Sequence, residues 1–276
     1  MTNKIATEND WEKLHTFFSR VYRPHHPLQN RDFWKWQYGN QNFGRSFVCL
    51  NEDGEIVGHV GASFGGGYAW IINVYLDAEF RGQGILGHLY QMAREYYPLA
   101  ATSANKAGLG LYRNMGWYRY CNLQRYVLIN PRWQSLPVDE LIQPIAPEIH
   151  FKKPDGHYWD QPCLASHQFA DGSNAIVQVK QGGIRAVDIH SLNHFTEQVW
   201  THGFKWIDYV SSWNDKTNKT LENSGWALDY ESKIPWKLDP LVENEMAEIS
   251  YLSEEPLPKS FVVHRSYSDH GRIGSI

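Results

Sequence analysis

The sequence has few cysteines, no strong excess of either charge and no long apolar run. Its 276 residues include three cysteines, which lie far apart and form no CxxC pair. This predicts reduced thiols packed in the interior rather than a disulfide framework. Lys and Arg together number 26 against 30 for Asp and Glu, a formal net charge of −4. That balance argues against a nucleic-acid-binding protein held mainly by phosphate contacts.

Membrane, targeting and metal signals are also lacking. The mean hydropathy is −0.53, and no apolar run approaches the ~18 residues of a membrane span. The first residues are polar and lack the apolar core of a signal peptide, so a soluble, cytoplasmic protein is expected. His190 and His194 lie four apart but lack the glutamate of an HExxH motif, and no metal site is predicted.

Aromatic residues, in contrast, make up 14% of the chain. This content excludes disorder as the dominant state. The length corresponds to a little under two domains of roughly 150 residues.

The first 130 residues alternate between helical and extended periodicity. Trp11, Leu14, Phe17 and Val21 share one helix face, and a short aromatic helix is expected at 31–38. The remaining predicted elements are strands at 46–50, 55–62, 69–76, 99–103 and 117–129, and helices at 85–96 and 105–115. Antiparallel strands that lead into a strand–helix–strand unit predict a mixed α/β sheet flanked by helices.

The second part of the chain resembles the first. SANKAGLGLYRNMGW (103–117) aligns without a gap on SWNDKTNKTLENSGW (212–226), and a helix at 192–206 and a strand at 207–210 precede the second copy. This predicts two copies of one architecture. The expected division is a domain at 1–130, a proline-containing linker at 131–148 and a second domain at 149–276.

The segment LDAEFRGQGILGHLYQMA (76–93) is the most informative in the sequence. A buried strand ends, glycines follow at 82, 84 and 87, and an amphipathic helix begins at once. Unpaired N–H groups and the helix dipole at such a terminus favour an anion, and glycines let a phosphate approach the backbone. Close packing of the turn is the alternative. No Gly-Lys-Ser/Thr follows, and antiparallel strands precede the loop, so neither a Walker loop nor a dinucleotide fingerprint is indicated.

This loop resembles the coenzyme A loop of the GNAT acetyltransferase superfamily, Arg/Gln-x-x-Gly-x-Gly/Ala. Arg81, Gly82, Gln83 and Gly84 fit it, whereas Leu86 occupies the last small position, with Gly87 next. A second family motif follows at the expected spacing in Asn105, Leu111-Tyr112 and Gly116-Trp117. The resemblance covers residues 1–130 and implies an acyltransferase that uses acetyl-CoA. The second half lacks the loop, since its aligned residues are 190–193, His-Ser-Leu-Asn.

The resemblance also implies roles for individual residues. The backbone of Val74 and Leu76 would contact the pantetheine arm, amides from Gly82 to Gly87 the pyrophosphate, and Asn105 would brace the arm. Tyr112 would lie near the sulfur and protonate the leaving thiolate. The residues expected to bind the coenzyme are Val74, Leu76, Arg81, Gly82, Gln83, Gly84, Ile85, Leu86, Gly87, Asn105 and Tyr112.

The general base and the oxyanion donor are less evident from the sequence. His59 is the candidate base, with a hydrogen-bonded, half-buried histidine as the alternative and solvent as a substitute. A strand amide near Asn73–Tyr75 would stabilise the oxyanion.

The acceptor is expected to be a small molecule that carries an amine. Trp34, Trp36 and Tyr38 lie where this superfamily places substrate-covering helices, and they would bind the acceptor together with Asn73; core packing is their alternative. The run FWKWQYGNQNFG, the second half and the tail FVVHRSYSDHGRI resemble acetyltransferases of bacterial surface-polysaccharide gene clusters. That implies a nucleotide-linked amino sugar. A protein or peptide acetyltransferase and a non-catalytic acyl-CoA-binding module are the alternatives, and a homodimer is left open.

Overall fold

The computed structural model describes residues 1–103, 106–145, 157–160, 162, 165–168, 174–189, 191–211, 215–235, 237–238, 241–242, 249–258 and 261. The chain forms two compact units. Of the described residues, unit 1 contains those at 1–120 and from 250 onward, and unit 2 contains those at 121–249. The C-terminal segment therefore belongs to the same unit as the N-terminus. The predicted boundaries at 130 and 148 do not include this exchange.

In most of the first half of the chain, helices and strands occur in the order that the sequence patterns predict. The helices are α1 (Trp11–Val21), α2 (Arg31–Tyr38), α3 (Ile85–Arg94), α4 (Lys106–Asn114), α5 (Val138–Leu141), α6 (Leu192–Thr201) and α7 (Asp215–Asn223). The strands are β1 (Thr2–Ile5), β2 (Gly44–Leu50), β3 (Ile56–Gly65), β4 (Tyr68–Leu76), β5 (Leu99–Ser103), β6 (Tyr118–Ile129), β7 (Ala165–Gln168), β8 (Asn174–Lys180), β9 (Gly183–Ile189), β10 (Trp206–Ser211), β11 (Ala227–Leu228), β12 (Lys237–Leu238), β13 (Leu241–Val242) and β14 (Ile249–Ser253). Within these described residues, no helix combines the length and the apolar character that crossing a bilayer requires.

The sheet of unit 1 has the strand order β1-β2-β3-β4-β5-β14. All neighbours are antiparallel except β4 and β5, which run parallel and are connected through α3. β14 pairs with β5 from Ser250 opposite Ser103 to Ser253 opposite Ala100. The predicted mixed α/β class is confirmed.

Apolar side chains cover both faces of this sheet. On one face, Leu14, Phe17 and Phe18 of α1 and Trp34 of α2 pack against strand residues such as Val48. On the other face, α3 contributes Ile85, Leu89 and Ala93 to a second core. The helical spacing of these residues is the pattern that predicts α1 and α3 from sequence. The sheet therefore lies between a layer that contains α1 and α2 and a layer that contains α3.

Two described elements, β1 and α5, differ from the sequence-based expectation. β1 was not predicted, because Thr2–Ile5 is a polar, largely exposed edge strand whose signal is weak; it pairs antiparallel with β2. The segment predicted as a linker carries α5, whose Leu141 is completely buried. Pro131 and Pro137 lie at helix starts rather than in a flexible connection, which is where proline fits best.

Unit 2 has a sheet in the order β6-β10-β9-β8-β7, and β11 also pairs with β6. β9 and β10 are parallel and are connected through α6. Three antiparallel strands, a helix, a parallel strand and a second helix thus follow one another as they do from β2 to α4 in unit 1. α6 ends at Thr201 rather than at the predicted residue 206, because His202-Gly203 closes it and Gly203 adopts a φ of 84°.

A buried ion cluster joins three strands of unit 2. Asp208 on β10 accepts hydrogen bonds from Arg125 Nε at 2.9 Å and from Arg185 Nη2 at 2.7 Å, and all three side chains are at most 1% exposed. Arg125 also pairs with Asp229. Removal of one member would leave an uncompensated buried charge, so the cluster ties β6, β9 and β10 together.

The aligned segments 103–117 and 212–226 have the same local structure at their C-terminal ends. Trp117 N donates to Tyr112 O and Trp226 N donates to Leu221 O, both at 3.1 Å, and the offset is 109 residues in each case. Gly116 and Gly225 precede these tryptophans with φ values of 76° and 81°. Each helix therefore ends in the same left-handed glycine cap, followed by a buried tryptophan.

Candidate active site

The central strands of unit 1 pair over only part of their length. β4 and β5 are in register from Ala69 to Ile71, whereas β4 continues to Leu76 and β5 to Ser103. Beyond Ile71, the side of β4 that faces β5 therefore has no ladder partner among the described residues. A strand edge with unpaired amides and carbonyls can accept an extended ligand as if it were a further strand.

A bulge in β4 lies at the start of this open edge. The β3–β4 register changes between His59, opposite Tyr75, and Gly61, opposite Ile72. Asn73 lies in the bulge with a φ of 51°, a left-handed conformation that asparagine tolerates better than most residues. Asp77 N donates to Val57 O on the β3 side. Because backbone groups alternate along a strand, the amides of Val74 and Leu76 face the open side.

The glycine loop connects the end of β4 with the start of α3. Gly82 and Gly84 adopt φ values of 78° and 76°, and Gly84 is the N-terminal cap of α3. In the first backbone hydrogen bond of the helix, His88 N donates to Gly84 O. The N–H groups of residues 85–87 precede it and have no acceptor within the helix, as at every helix start. They form a cluster of donors at the positive end of the helix dipole.

Close packing within the protein does not explain these glycines. Within the part of the chain that the structure describes, a Cβ added at Gly82, Gly84 or Gly87 would meet no atom within 4 Å beyond the flanking residues and the adjacent helix backbone. Gly87 has an ordinary helical conformation, so neither its backbone nor its neighbours require glycine. The free space over the helix terminus fits an anionic group that approaches the backbone closely, and the residues present are compatible with a coenzyme pyrophosphate.

The two polar side chains of the loop are exposed. Arg81 Nε donates to Leu76 O at 3.2 Å, and Gln83 Nε2 donates to Glu79 O at 3.2 Å. The contact of Arg81 holds its cationic group near the loop. It also occupies the carbonyl of Leu76, which leaves the Leu76 amide as the group at this residue that can contact a ligand on the open edge.

Tyr112 lies on α4, on the same face of the sheet as α3. Its side chain is 5% exposed and stacks on Trp117 with ring centroids 4.5 Å apart. The left-handed cap at Gly116 brings Trp117 back onto α4 and fixes this stack. Asn105, the other residue predicted from this motif, lies outside the described residues.

His59 is completely buried on β3, and both of its ring nitrogens have partners. Nδ1 lies 2.7 Å from Asn73 O, and Nε2 lies 2.9 Å from Ser46 Oγ. A carbonyl oxygen can only accept, so Nδ1 carries the proton and Ser46 donates to Nε2. Burial lowers the pKa of His59 to about 4. This environment favours a neutral, structural imidazole over the general base that the sequence suggested.

The aromatic residues of α2 divide into buried and accessible ones. Trp34 is 1% exposed and Tyr38 is 2% exposed, and both pack in the core between α2 and the sheet. This burial favours the core-packing alternative for these two side chains. Trp36 is half-buried and lies against Phe33 with ring centroids 5.4 Å apart. It is therefore the α2 tryptophan with surface that an acceptor can reach.

Asn73 is held by Tyr38, which the sequence singled out as an acceptor-binding residue, and by Gln37, which it did not. Its Oδ1 accepts from Tyr38 OH at 2.8 Å and from Gln37 Nε2 at 3.2 Å. Gln37 is 3% exposed and Ser46 is fully buried. Buried polar residues with no motif around them give no sequence signal, because their partners are set by the sheet register.

Comparison with known proteins agrees with this geometry. Residues 10–117, less than half of the chain, match the model of the Acetyltransferase (GNAT) family. Among curated proteins, none matches this chain. A protein of Pyrococcus horikoshii that is provisionally described as an acetyltransferase has a similar fold, with a TM-score of 0.59 and 13% identity over 98% of this chain and 95% of that one. A GCN5-related N-acetyltransferase of Kribbella flavida is similar with a TM-score of 0.53 and 12% identity, over 91% of this chain and 71% of the other.

The fold is of the GNAT type, with a mixed sheet whose central strands pair over part of their length and a glycine loop at the start of a helix. Residues 10–117 are similar to the GNAT family of acetyltransferases. The protein is an acyltransferase, and its acetyl donor is acetyl-CoA.

Proposed function

We propose that this protein transfers the acetyl group to the amine of a small acceptor, and that the acceptor is an amino sugar, linked to a nucleotide. The reaction class is carried by one observation, the glycine loop in which three added Cβ atoms would meet nothing. The acceptor class is supported by the resemblance of the sequence to acetyltransferases of surface-polysaccharide gene clusters and by the accessible part of Trp36, since an indole face can stack on a sugar ring.

The coenzyme would be held along β4 and at the start of α3. The amides of Val74 and Leu76 face the open edge, where the pantetheine arm can extend the sheet. The amides of residues 85–87 and the nearby Arg81 would bind the pyrophosphate. These contacts are backbone contacts for the most part, so they depend on the loop conformation more than on side-chain identity.

Acetyl-CoA supplies the acetyl group as an activated thioester. Transfer forms a bond between the acceptor nitrogen and the acetyl carbon and breaks the carbon–sulfur bond. A β4 amide near Asn73–Tyr75 would stabilise the charge that develops on the carbonyl oxygen. Tyr112 would donate a proton to the departing sulfur. Positioning of the amine against the thioester supplies much of the remaining acceleration.

The amine must lose a proton during the reaction, and the base is solvent in this proposal. His59 has both nitrogens in use and no exposed surface. A water chain in the open cleft can accept the proton from an amine whose basicity is moderate, as that of an amino sugar is.

Unit 2 would be a copy of the same architecture without catalytic function. Only residues 190 and 191 separate β9 from α6, whereas eight residues separate β4 from α3. That connection has no length for a glycine loop. Leu221 takes the place of Tyr112 in the repeat.

The test is release of free thiol from acetyl-CoA with nucleotide-linked amino sugars, polyamines and basic peptides as acceptors. Release with an amino sugar supports the proposal, and release with peptides alone contradicts it. Trp36→Ala should raise the KM for the sugar and leave the Kd for acetyl-CoA unchanged, because the residues proposed to contact the coenzyme lie on β4 and in the glycine loop. Trp36→Phe keeps a ring at this position and should recover most of the loss.

A basic peptide is the second candidate because unit 1 also has an acidic groove. The groove has a volume of about 590 Å³ and lies between α1, the turn after β2 and the segment after β4. Its charged lining residues are Glu12, Lys13, Arg20, Asp53, Glu55, Asp77 and Glu79. If peptides are acetylated, Glu55→Lys should raise the peptide KM through charge repulsion; if sugars are, it should have no effect.

A further inference from the structure

The β4 bulge is held from two sides by buried side chains. On one side, Tyr38 OH and Gln37 Nε2 donate to the side-chain oxygen of Asn73. On the other side, His59 Nδ1 donates to the backbone oxygen of the same residue. The contacting groups come from α2 and from β3, so two separate elements fix one residue of β4.

The surroundings of His59 and Tyr38 hold these side chains in position to contact Asn73. The His59 ring lies among Phe17, Phe18 and Tyr38, with centroids between 5.1 and 6.4 Å away. Gln37 Nε2 also donates to Tyr38 OH at 2.9 Å, which orients the hydroxyl group. On β3, a Cβ at Gly61 would overlap the Tyr38 hydroxyl. Glycine at this position therefore leaves room for Tyr38 to reach Asn73.

The conformation of Asn73 needs such support. A φ of 51° in a non-glycine residue is uncommon and persists where the surroundings impose it. The bulge adds one residue to β4 relative to β3, and every residue after it changes the side to which its backbone points. Without the bulge, the amides of Val74 and Leu76 would point towards β3 instead of the open edge.

We infer that Tyr38, Gln37 and His59 are positioning residues which act through Asn73 to aim the amides of Val74 and Leu76 at the coenzyme. They touch no reacting atom. This inference rests on the proposed coenzyme site along β4, and it is independent of the acceptor. It assigns to α2, through Tyr38, a role in coenzyme affinity in addition to packing.

The experiment is a double-mutant cycle with Tyr38→Phe and Asn73→Gly, read by the Kd for acetyl-CoA in calorimetry without acceptor. Tyr38→Phe keeps the ring and removes the donor, so it should weaken binding about fivefold, the effect of one hydrogen bond. Asn73→Gly keeps the freedom to adopt a positive φ and removes the acceptor. Because Tyr38 acts through Asn73, the double variant should bind no more weakly than Asn73→Gly alone.

A readout of the free protein separates positioning from general packing. Amide hydrogen exchange of Asp77, whose N–H donates to Val57 O just after the bulge, should accelerate in both single variants, while exchange from Ala69 to Ile71 stays the same. Tyr22→Phe is the matched control, because Tyr22 packs beside the same core and stacks on His26. Its Kd for acetyl-CoA and its exchange at Asp77 should equal those of the unmodified protein.

Additive losses in the double variant, or unchanged Kd values in both single variants, would overturn the inference. Acetyl-CoA binding without acetylation of any amino sugar would contradict the proposed acceptor. The double-mutant cycle would still decide this inference, because the cycle measures coenzyme binding alone. If the unmodified protein fails to bind acetyl-CoA, both proposals are wrong.

Discussion

At the scale of single residues, the site depends on a few side chains whose environments differ sharply. Tyr112 and His59 were the two residues expected to move protons. Tyr112 stacks on Trp117 in the α3–α4 layer, whereas His59 is enclosed on the opposite face with both nitrogens paired. Of the two residues that the sequence suggested for proton transfer, Tyr112 is therefore the proposed acid and His59 is a structural imidazole.

Tyr112→Phe should lower kcat by roughly 100-fold, because a positioned general acid contributes at least this much. The Kd for acetyl-CoA should change little, since the ring and its stack on Trp117 remain. Steady-state kinetics and calorimetry measure the two quantities. An unchanged kcat would remove Tyr112 from the mechanism.

His59 should make the stability of the protein depend on pH. Its pKa is about 4 in the folded protein against 6.5 when unfolded, so the unfolded chain binds a proton first as the pH falls. The contribution is complete above pH 6.5 and about 3 kcal/mol is lost as the pH falls to 4. Urea unfolding measures this slope. His59→Gln should flatten it, and Ser46→Ala, which keeps the buried imidazole, should retain it; equal slopes for His59→Gln and the unmodified protein would contradict the assignment.

At the scale of elements, the proposed anion site lies at the start of α3, where the helix contains a glycine. Gly87 lowers helix stability, yet no contact among the described residues requires a glycine there. An element that sacrifices stability at one position usually does so for function.

Gly87→Ala should therefore raise stability and weaken coenzyme binding at the same time. Alanine favours the helix by roughly 0.5 to 1 kcal/mol. Its methyl group would displace a phosphate from the amides, and the Kd for acetyl-CoA should rise by roughly tenfold. Gly110→Ala on α4, where a Cβ also meets nothing, is the control and should raise the Tm without a change in Kd. Tighter binding by Gly87→Ala would exclude the loop as the phosphate site.

At the scale of the whole molecule, the two ends of the chain form one unit. Tyr251 and Leu252 of β14 are 0% and 2% exposed, and Leu252 belongs to the core beneath α3. Glu254 continues the connection, since Leu99 N donates to its Oε1 at 2.7 Å and Arg94 Nε donates to its Oε2 at 2.8 Å. The sheet of unit 1 is incomplete without this segment.

A chain that ends at residue 248 should lose cooperative folding of unit 1, because the edge of β5 and its apolar neighbours become exposed. Differential scanning calorimetry should show the loss of one transition, and acetyl-CoA should no longer raise the Tm. In the full chain, Leu252→Ala should lower stability by about 2 to 5 kcal/mol. A truncated chain that binds acetyl-CoA as the full chain does would contradict this prediction.

The sequence alone determined the features that depend on neighbours along the chain. Helix spacing located α1 to α4, alternation and turns located β2 to β5, and the left-handed glycines at 82, 84 and 116 stand where turns and caps demand them. The glycine loop and its helix follow from contiguous residues, and their resemblance to the GNAT coenzyme loop implies the reaction class. The alignment of 103–117 on 212–226 likewise uses only the order of residues along the chain.

The tertiary structure decided whatever depends on residues far apart in sequence. It placed β14 beside β5, enclosed His59 between Ser46 and Asn73, and buried Trp34 and Tyr38 while leaving part of Trp36 accessible. Sequence spacing carries no information on such contacts, because strand register and the packing of α2 on the sheet set them. The aim of the β4 amides therefore depends on how distant side chains meet at Asn73.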